Sequence, residues 1–257
     1  MMAPFIRQTW ALTRRYLTQM QAAFIFISLV QPIIWLLLFG ALFKSVVSIP
    51  GFGGGSYITF LTPGVVVMTA LFSAGWSGMS FIDDMESGVM GRMLVSPVHR
   101  GAMMTSTLVY QAIATVVQSL IIVLLGWALG AHFPSGVPGV VVLILSAVLI
   151  AVAFAALSNG LSLVTRTRET LIAAATALVL PLSFLSFAFM QPNLVPGWIA
   201  AIARYNPVNW AVEAGRGAVA VQVHWGTVGS FVLFLVASVA VCGVVATRAF
   251  RSYQHSI

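Results

Sequence analysis

The chain has 257 residues, of which 60% are hydrophobic and only 7% charged, and its mean hydropathy is +1.03. Soluble domains carry roughly 25% charged residues, so a soluble enzyme or binding module is excluded and a polytopic membrane protein is indicated. A net charge of +7 would suggest nucleic acid in a soluble protein. Here the basic residues flank apolar stretches, where they set membrane orientation, and no nucleic-acid partner is expected. The single cysteine, Cys242, lies inside an apolar stretch and allows neither an intramolecular disulfide nor a thiolate metal site. The four histidines, His99, His132, His224 and His255, are dispersed, so no metal is expected.

In chain order, residues 4–20 come first. Phe5, Ile6, Trp10, Leu12, Tyr16, Leu17 and Met20 approximate one helical face, with Arg7, Arg14 and Arg15 among the polar positions, which predicts a helix lying in the membrane interface. The apolar run that follows is too long for the core of a cleaved signal peptide. A helix needs ~20 residues to cross ~30 Å of hydrocarbon. Six runs meet that length: 22–43, 58–82, 103–130, 139–164, 171–190 and 227–247. None shows the short alternating pattern of barrel strands. Pro32 and Pro181 are placed to kink the first and fifth runs. Polar residues inside the runs are few (Gln31, Gln111, Gln118, Asn159), and such groups face protein or a cavity.

Between the runs, 44–57 is Gly-rich and reads as an external loop. It cannot cradle a phosphate as a Walker motif does, because the chain's only lysine, Lys44, precedes the glycines. This chain is therefore expected to bind no nucleotide and no other cofactor, and to be no enzyme. The segment 191–226 carries Pro192, Pro196, Pro207 and three tryptophans around short amphipathic stretches, Gly197–Arg204 and Val208–Val221. These stretches are too short to span and too apolar for a free loop, which predicts an external re-entrant helical hairpin. With six spans, Arg7, Arg14, Arg15, Arg92, Arg100, Arg166, Arg168, Arg248 and Arg251 share one side, and Lys44, Arg204 and Arg216 the other. That asymmetry puts both termini in the cytoplasm. The expected setting is a bacterial inner membrane, with a single transmembrane domain over 1–257.

Three of the five carboxylates, Asp83, Asp84 and Glu86, stand together at one membrane exit. They are expected at the start of a short helix, where acids suit the positive end of its dipole. Met90, Met93, Leu94 and Val95 would supply an apolar side, and Arg92, His99 and Arg100 would follow near its end. Physically this is either a docking surface for a soluble partner or a solvated connector. The stretch Glu86-Ser87-Gly88-Val89-Met90-Gly91-Arg92-Met93-Leu94-Val95-Ser96-Pro97-Val98-His99-Arg100 resembles the coupling-helix region of type-2 ABC exporter permeases, nearest to the daunorubicin/doxorubicin-resistance-like group. That pattern is an acidic E-x-G-T-type opening, a basic residue, then L-[VT]-[ST]-P-[VL]-x-R before the next long span. Val89 replaces the usual Thr, and Met85 stands where a basic residue is common.

A second match is Tyr205-Asn206-Pro207-Val208-Asn209-Trp210-Ala211-Val212-Glu213-Ala214-Gly215-Arg216, similar to the family's N-P-x-x-x-x-x-E-x-x-R segment before the last span. Asn206 ahead of Pro207 is also a helix-start signal, and Glu213 and Arg216 are i,i+3 neighbours able to pair. The resemblance implies a dimeric permease, a homodimer or a heterodimer, with two separate soluble ABC ATPase subunits that hold ATP and Mg. It places ATPase coupling on Asp83, Asp84, Glu86, Gly88, Arg92, Leu94, Pro97 and Arg100, and an external hairpin role on Asn206, Pro207, Glu213 and Arg216. Met68, Phe72, Phe184 and Phe187 are candidates for lining an apolar substrate path, and membrane lipid is the other partner expected. The function expected is export of hydrophobic or amphipathic molecules (drug, lipid or natural product). The alternative is a secondary transporter or channel, but such proteins usually carry ionisable groups deep in a span and the six runs hold none there.

Overall fold

The computed structural model describes residues 2–19, 22–43, 56–96 and 99–254. Among them every regular element is helical: α1 (Met2–Gln19), α2 (Ala22–Leu42), α3 (Tyr57–Gly75), α4 (Met79–Glu86), α5 (Val89–Val95), α6 (Arg100–Ala128), α7 (Gly136–Thr165), α8 (Arg168–Phe184), α9 (Gly197–Ala203), α10 (Pro207–Ala218) and α11 (Trp225–Gln254), with a 3₁₀ turn at Pro192–Leu194. The molecule is an all-α membrane bundle. Tyr57–Glu86, Gly101–Ala128, Gly136–Thr165 and Trp225–Arg251 are long and apolar enough to cross a bilayer. Of the six expected spans, four thus meet that requirement among the described residues. Within α2 the shorter apolar stretch is Leu29–Leu42, and α8 has 17 residues.

α7 is the central helix and packs against α3, α6, α10 and α11. Its buried positions are largely small, among them Ser146, Ala147, Ala151, Ala155, Ser158 and Gly160, and small residues let neighbouring backbones come close where no hydrophobic force drives helices together. A Cβ on Gly160 would sit 3.3 Å from Ala246 Cα in α11. In α6, Gly126 faces Thr62 of α3 at a distance that admits no Cβ, whereas Gly130 has positive φ in the turn beyond the helix, so only the first glycine of that GxxxG pair serves packing. Leu61, Val65, Met68 and Leu71 of α3, Leu143 and Ile150 of α7 and Val212 of α10 fill the main core. The outer face of α11 (Leu233, Val236, Val241, Val244) is exposed and apolar, as lipid contact requires.

Two expected spans are interrupted. The second breaks at 76–78 between α3 and α4. Ser158 of α7 repairs the break: its Oγ donates to Gly75 O at 2.7 Å and accepts from Gly78 N at 3.0 Å. Gly78 is obligatory there, because a Cβ would lie 2.4 Å from Ser158 O. The fifth was expected over 171–190, but α8 stops at Phe184, three residues past Pro181, and 185–190 is non-helical. α4, α5, α1 and the far end of α11 gather at one end of the bundle around a small second core of Phe81, Met90, Met103, Leu163 and Phe250. α9 and α10 lie at the opposite, hairpin end.

Candidate functional site

The three clustered acids are not at the start of a helix. Asp83 and Asp84 lie in the last turn of α4 and Glu86 is its final residue, the end where the helix dipole disfavours carboxylates. Two arginines compensate. Asp84 is buried and takes Arg15 Nη2 at 2.5 Å and the Tyr16 hydroxyl at 2.7 Å, so it fastens α1 to α4. Burial, reinforced by the Asp84 carboxylate, pushes the Tyr16 phenol far up, and Tyr16 stays a hydrogen-bond donor. Asp83 and Glu86 remain exposed and share Arg168 at the start of α8, at 2.7 and 2.6 Å. Glu86 takes both Nε and Nη2 of that guanidinium, which raises the Arg168 pKa. Sequence reasoning used Arg15 and Arg168 only to fix topology and Tyr16 only as an apolar position. The available signal was the need of three close carboxylates for cations.

Gly88 follows with φ 68 and starts α5. The helix turns Met90 into the small core, while Arg92 is exposed and Val95 is 88% exposed. The expected single apolar side is therefore split, with Met90 and Met93 inward and Val95 outward. Pro97 lies outside the described residues, as do Lys44 and most of its loop; for Leu94 and Arg100 only the backbone is described. α1 also divides its predicted face: Thr9, Thr13 and Tyr16 are buried, Thr13 donating to Ser106 O of α6 at 3.2 Å, and Ile6 and Trp10 point outward.

At the hairpin end the two short helices form close to the expected bounds. Asn206 caps α10, its Oδ1 accepting from Val208 N at 2.9 Å. The same side chain donates Nδ2 to Leu182 O and Leu185 O at the frayed end of α8. Asn209 Oδ1 accepts from Phe187 N at 3.0 Å. Arg216 Nη2 donates to Phe187 O at 3.0 Å, Ala188 O at 3.3 Å and Phe60 O at 3.4 Å, and its guanidinium lies 3.7 Å from the Phe60 ring centroid. Burial pulls the Arg216 pKa down to about 10, with Glu213 opposing, so it is charged at neutral pH. The Glu213 pair is present at 3.4 Å but is one contact among several. Asn206, Asn209 and Arg216, with the Tyr57 hydroxyl donating to Phe189 O at 3.1 Å, take up backbone groups that 185–190 frees by leaving the helix, a need that lipid cannot meet. Asn209 was not singled out in the sequence.

A cavity of about 1000 Å³ opens beside the acidic residues and runs inward between α2, α3, α4, α6 and α8. Phe72 lines it, with Trp35 edge-on at 5.6 Å. The other three substrate-path candidates do not: Met68 is fully buried in the core, Phe187 is buried at the hairpin end, and Phe184 is 72% exposed on the outer surface. Period and composition gave all four the same apolar look; only packing separates them.

The stretch of sequence that holds both motif segments has counterparts in known proteins. Residues 7–220 match the family model described as ABC-2 type transporter. The ycf38 protein of Cyanophora paradoxa, named as a transport permease, is 30% identical over 82% of this chain and 74% of its own. The daunorubicin resistance ABC transporter permease DrrB1 of Streptomyces coeruleorubidus is 28% identical over 87% of this chain and 77% of its own. DrrC of Mycobacterium tuberculosis, named for doxorubicin resistance, is 26% identical over 83% and 77%. With the family model spanning both the α4–α5 turn and the hairpin end, this chain belongs to the ABC-2 type transporter family of membrane permeases.

Proposed function

We propose that this permease is the membrane subunit of an ATP-driven exporter that moves apolar or amphipathic molecules out of the cytoplasm. Permeases of this family work with ABC ATPase partners. In this reading two soluble ATPase subunits serve a pair of permeases, and all ATP and Mg chemistry is theirs. The acidic end faces the cytoplasm, with α5 and the exposed residues around it (Asp83, Glu86, Gly88, Arg92) as the surface offered to the ATPase. Leu94, Pro97 and Arg100 belong to the same stretch. Asp84 acts indirectly, by seating α1. Both termini are cytoplasmic, consistent with α1 and the end of α11 lying beside the acids. The hairpin end, with Asn206, Pro207, Glu213 and Arg216, closes the outer side.

The observation that carries this reading is the cavity opening next to the acids with Trp35 and Phe72 inside it, in a chain whose relatives include permeases named for daunorubicin and doxorubicin resistance. Inside-out vesicles containing the chain and its ATPase should accumulate ethidium only when ATP is added. Exchange of the P-loop lysine of the ATPase should abolish accumulation. Uptake driven by a proton gradient without the ATPase would replace this reading with a secondary transporter.

A further inference from the structure

The cavity lining combines aromatic rings with amides. The rings are Trp35 of α2, Phe72 at the end of α3, Trp76 in the turn after it and Tyr110 of α6. Beside Gln31 of α2, the amides are Gln111 and Gln118, both on α6. They are seven residues apart, two helical turns on one face, so their amides are spaced by about 10 Å along the cavity. Gln111 is held in place: its Nε2 donates to Ser73 Oγ at 3.1 Å and to Thr115 Oγ1 at 3.2 Å. Amides buried in a membrane bundle are costly unless they serve packing or recognition, and these two sit at the edge of a space large enough for a drug-sized molecule.

Charge, in contrast, is confined to a few of the lining residues. Among the described residues lining the cavity, the charged ones are Arg15, Asp83 and Asp84, all at the mouth. Deeper in, an anion would lose its hydration and meet no cation, the costly case of an unpaired buried charge. A cation there would meet ring faces, and a neutral polar group would meet amides and hydroxyls. At the mouth, Arg15 is already neutralised by Asp84. Its Nη1 is buried with no hydrogen-bond partner, a donor that suits a carbonyl or ether oxygen.

We infer that this cavity is a binding chamber for an uncharged or cationic amphiphile of drug size, its apolar body against Trp35, Phe72 and Trp76 and its hydrogen-bonding edge read by Gln111 and Gln118. Anionic lipids and fatty acids are excluded by the same geometry. The inference rests on the exporter reading above and narrows its cargo.

The test is direct binding to the full-length permease in nanodiscs, with empty nanodiscs subtracted, so that no ATPase is needed. Three probes separate the elements of recognition: ethidium, a cation with amino groups; tetraphenylphosphonium, a cation with none; and anilinonaphthalene sulfonate, an anion. Ethidium should bind saturably. Gln111→Leu with Gln118→Leu should weaken ethidium about tenfold, the value of one or two lost hydrogen bonds, and leave tetraphenylphosphonium unchanged. Trp76→Ala, at a half-exposed position where folding tolerates the change, should weaken both cations, and Phe184→Ala on the outer surface should weaken neither. Saturable anilinonaphthalene sulfonate binding that ethidium displaces would overturn the inference. So would ethidium binding indifferent to Trp76 and, in folded protein, to both glutamines. Absent binding with ATP-driven ethidium export intact would sink this chamber and leave the exporter standing. Binding intact without ATP-driven export would do the reverse.

Discussion

Arg216 carries more than one partner, and its environment decides what can replace it. Three backbone carbonyls and a ring face surround the guanidinium, so Arg216→Ala strips 185–190 of its acceptors' partner and should cost about 3 kcal/mol of stability, the range of lost bonds to a charged group. Glu213→Ala should cost less. From sequence alone, a Glu213→Arg, Arg216→Glu exchange would restore part of the loss; the structure predicts that it will not, because a carboxylate at 216 faces carbonyl oxygens. Melting temperatures of the four detergent-purified proteins check this, and a rescued exchange mutant would show that pairing dominates after all. Asp84 is a similar case. The family resemblance implies a coupling role for it, and its geometry adds a local one, as the clasp of α1. Asp84→Ala should raise amide exchange across α1 more than in α9. The clasp has a definite pH limit. A phenol raised above its ordinary value of 10.0 contributes fully below that pH and loses its contribution as pH climbs beyond it, so Tyr16's share of α1 protection should hold at neutral pH and fade in strong alkali. Arg15 and Asp84 are 69 residues apart, and no local pattern ties them together.

At the level of elements, the spans were legible because hydropathy is a property of the segment itself: the bounds of α6 and α7 fall within about three residues of the apolar runs, while α11 starts near its run and continues past 247 to Gln254. The hairpin helices were legible too, because Asn206-Pro207 starts a helix by local chemistry. The breaks were not. The hydropathic runs extend across both 76–78 and 185–190, and what permits the interruption is a hydroxyl on α7 in one case and, in the other, three side chains on or beside α10 with Tyr57 of α3. These are properties of a partner element. Ser158→Ala should therefore destabilise by about 1–3 kcal/mol, the cost of leaving Gly75 O and Gly78 N unsatisfied. Gly78→Ala should be at least as harmful through overpacking against the Ser158 carbonyl. If both variants melt like the parent, the break is not held from α7.

For the whole molecule, orientation is the first quantity to measure. In a Cys242→Ser background, a cysteine at Ser56 should react with an impermeant reagent from outside, and one at Gly91, which is exposed with open space around its Cα, only after permeabilisation. The opposite pattern would invert the transporter. α4 gives that orientation a mechanical meaning. It has 8 residues and is a stiff rod about 12 Å long at 1.5 Å per residue, with a joint at each end: the Gly78 break above and the left-handed Gly88 below. One flank of the rod (Met79, Ser80, Asp83, Asp84) is cavity wall. Guy-lines to Arg15 on one side and Arg168 on the other hold it upright. A lever of that length turning by about 10° on its upper joint swings its lower end by about 2 Å, the scale on which a mouth opens or shuts to a ring-sized molecule. In the proposed exporter, torque applied at α5 would reach the chamber through a single short arm, and the arm would turn only by slackening one line and straining the other.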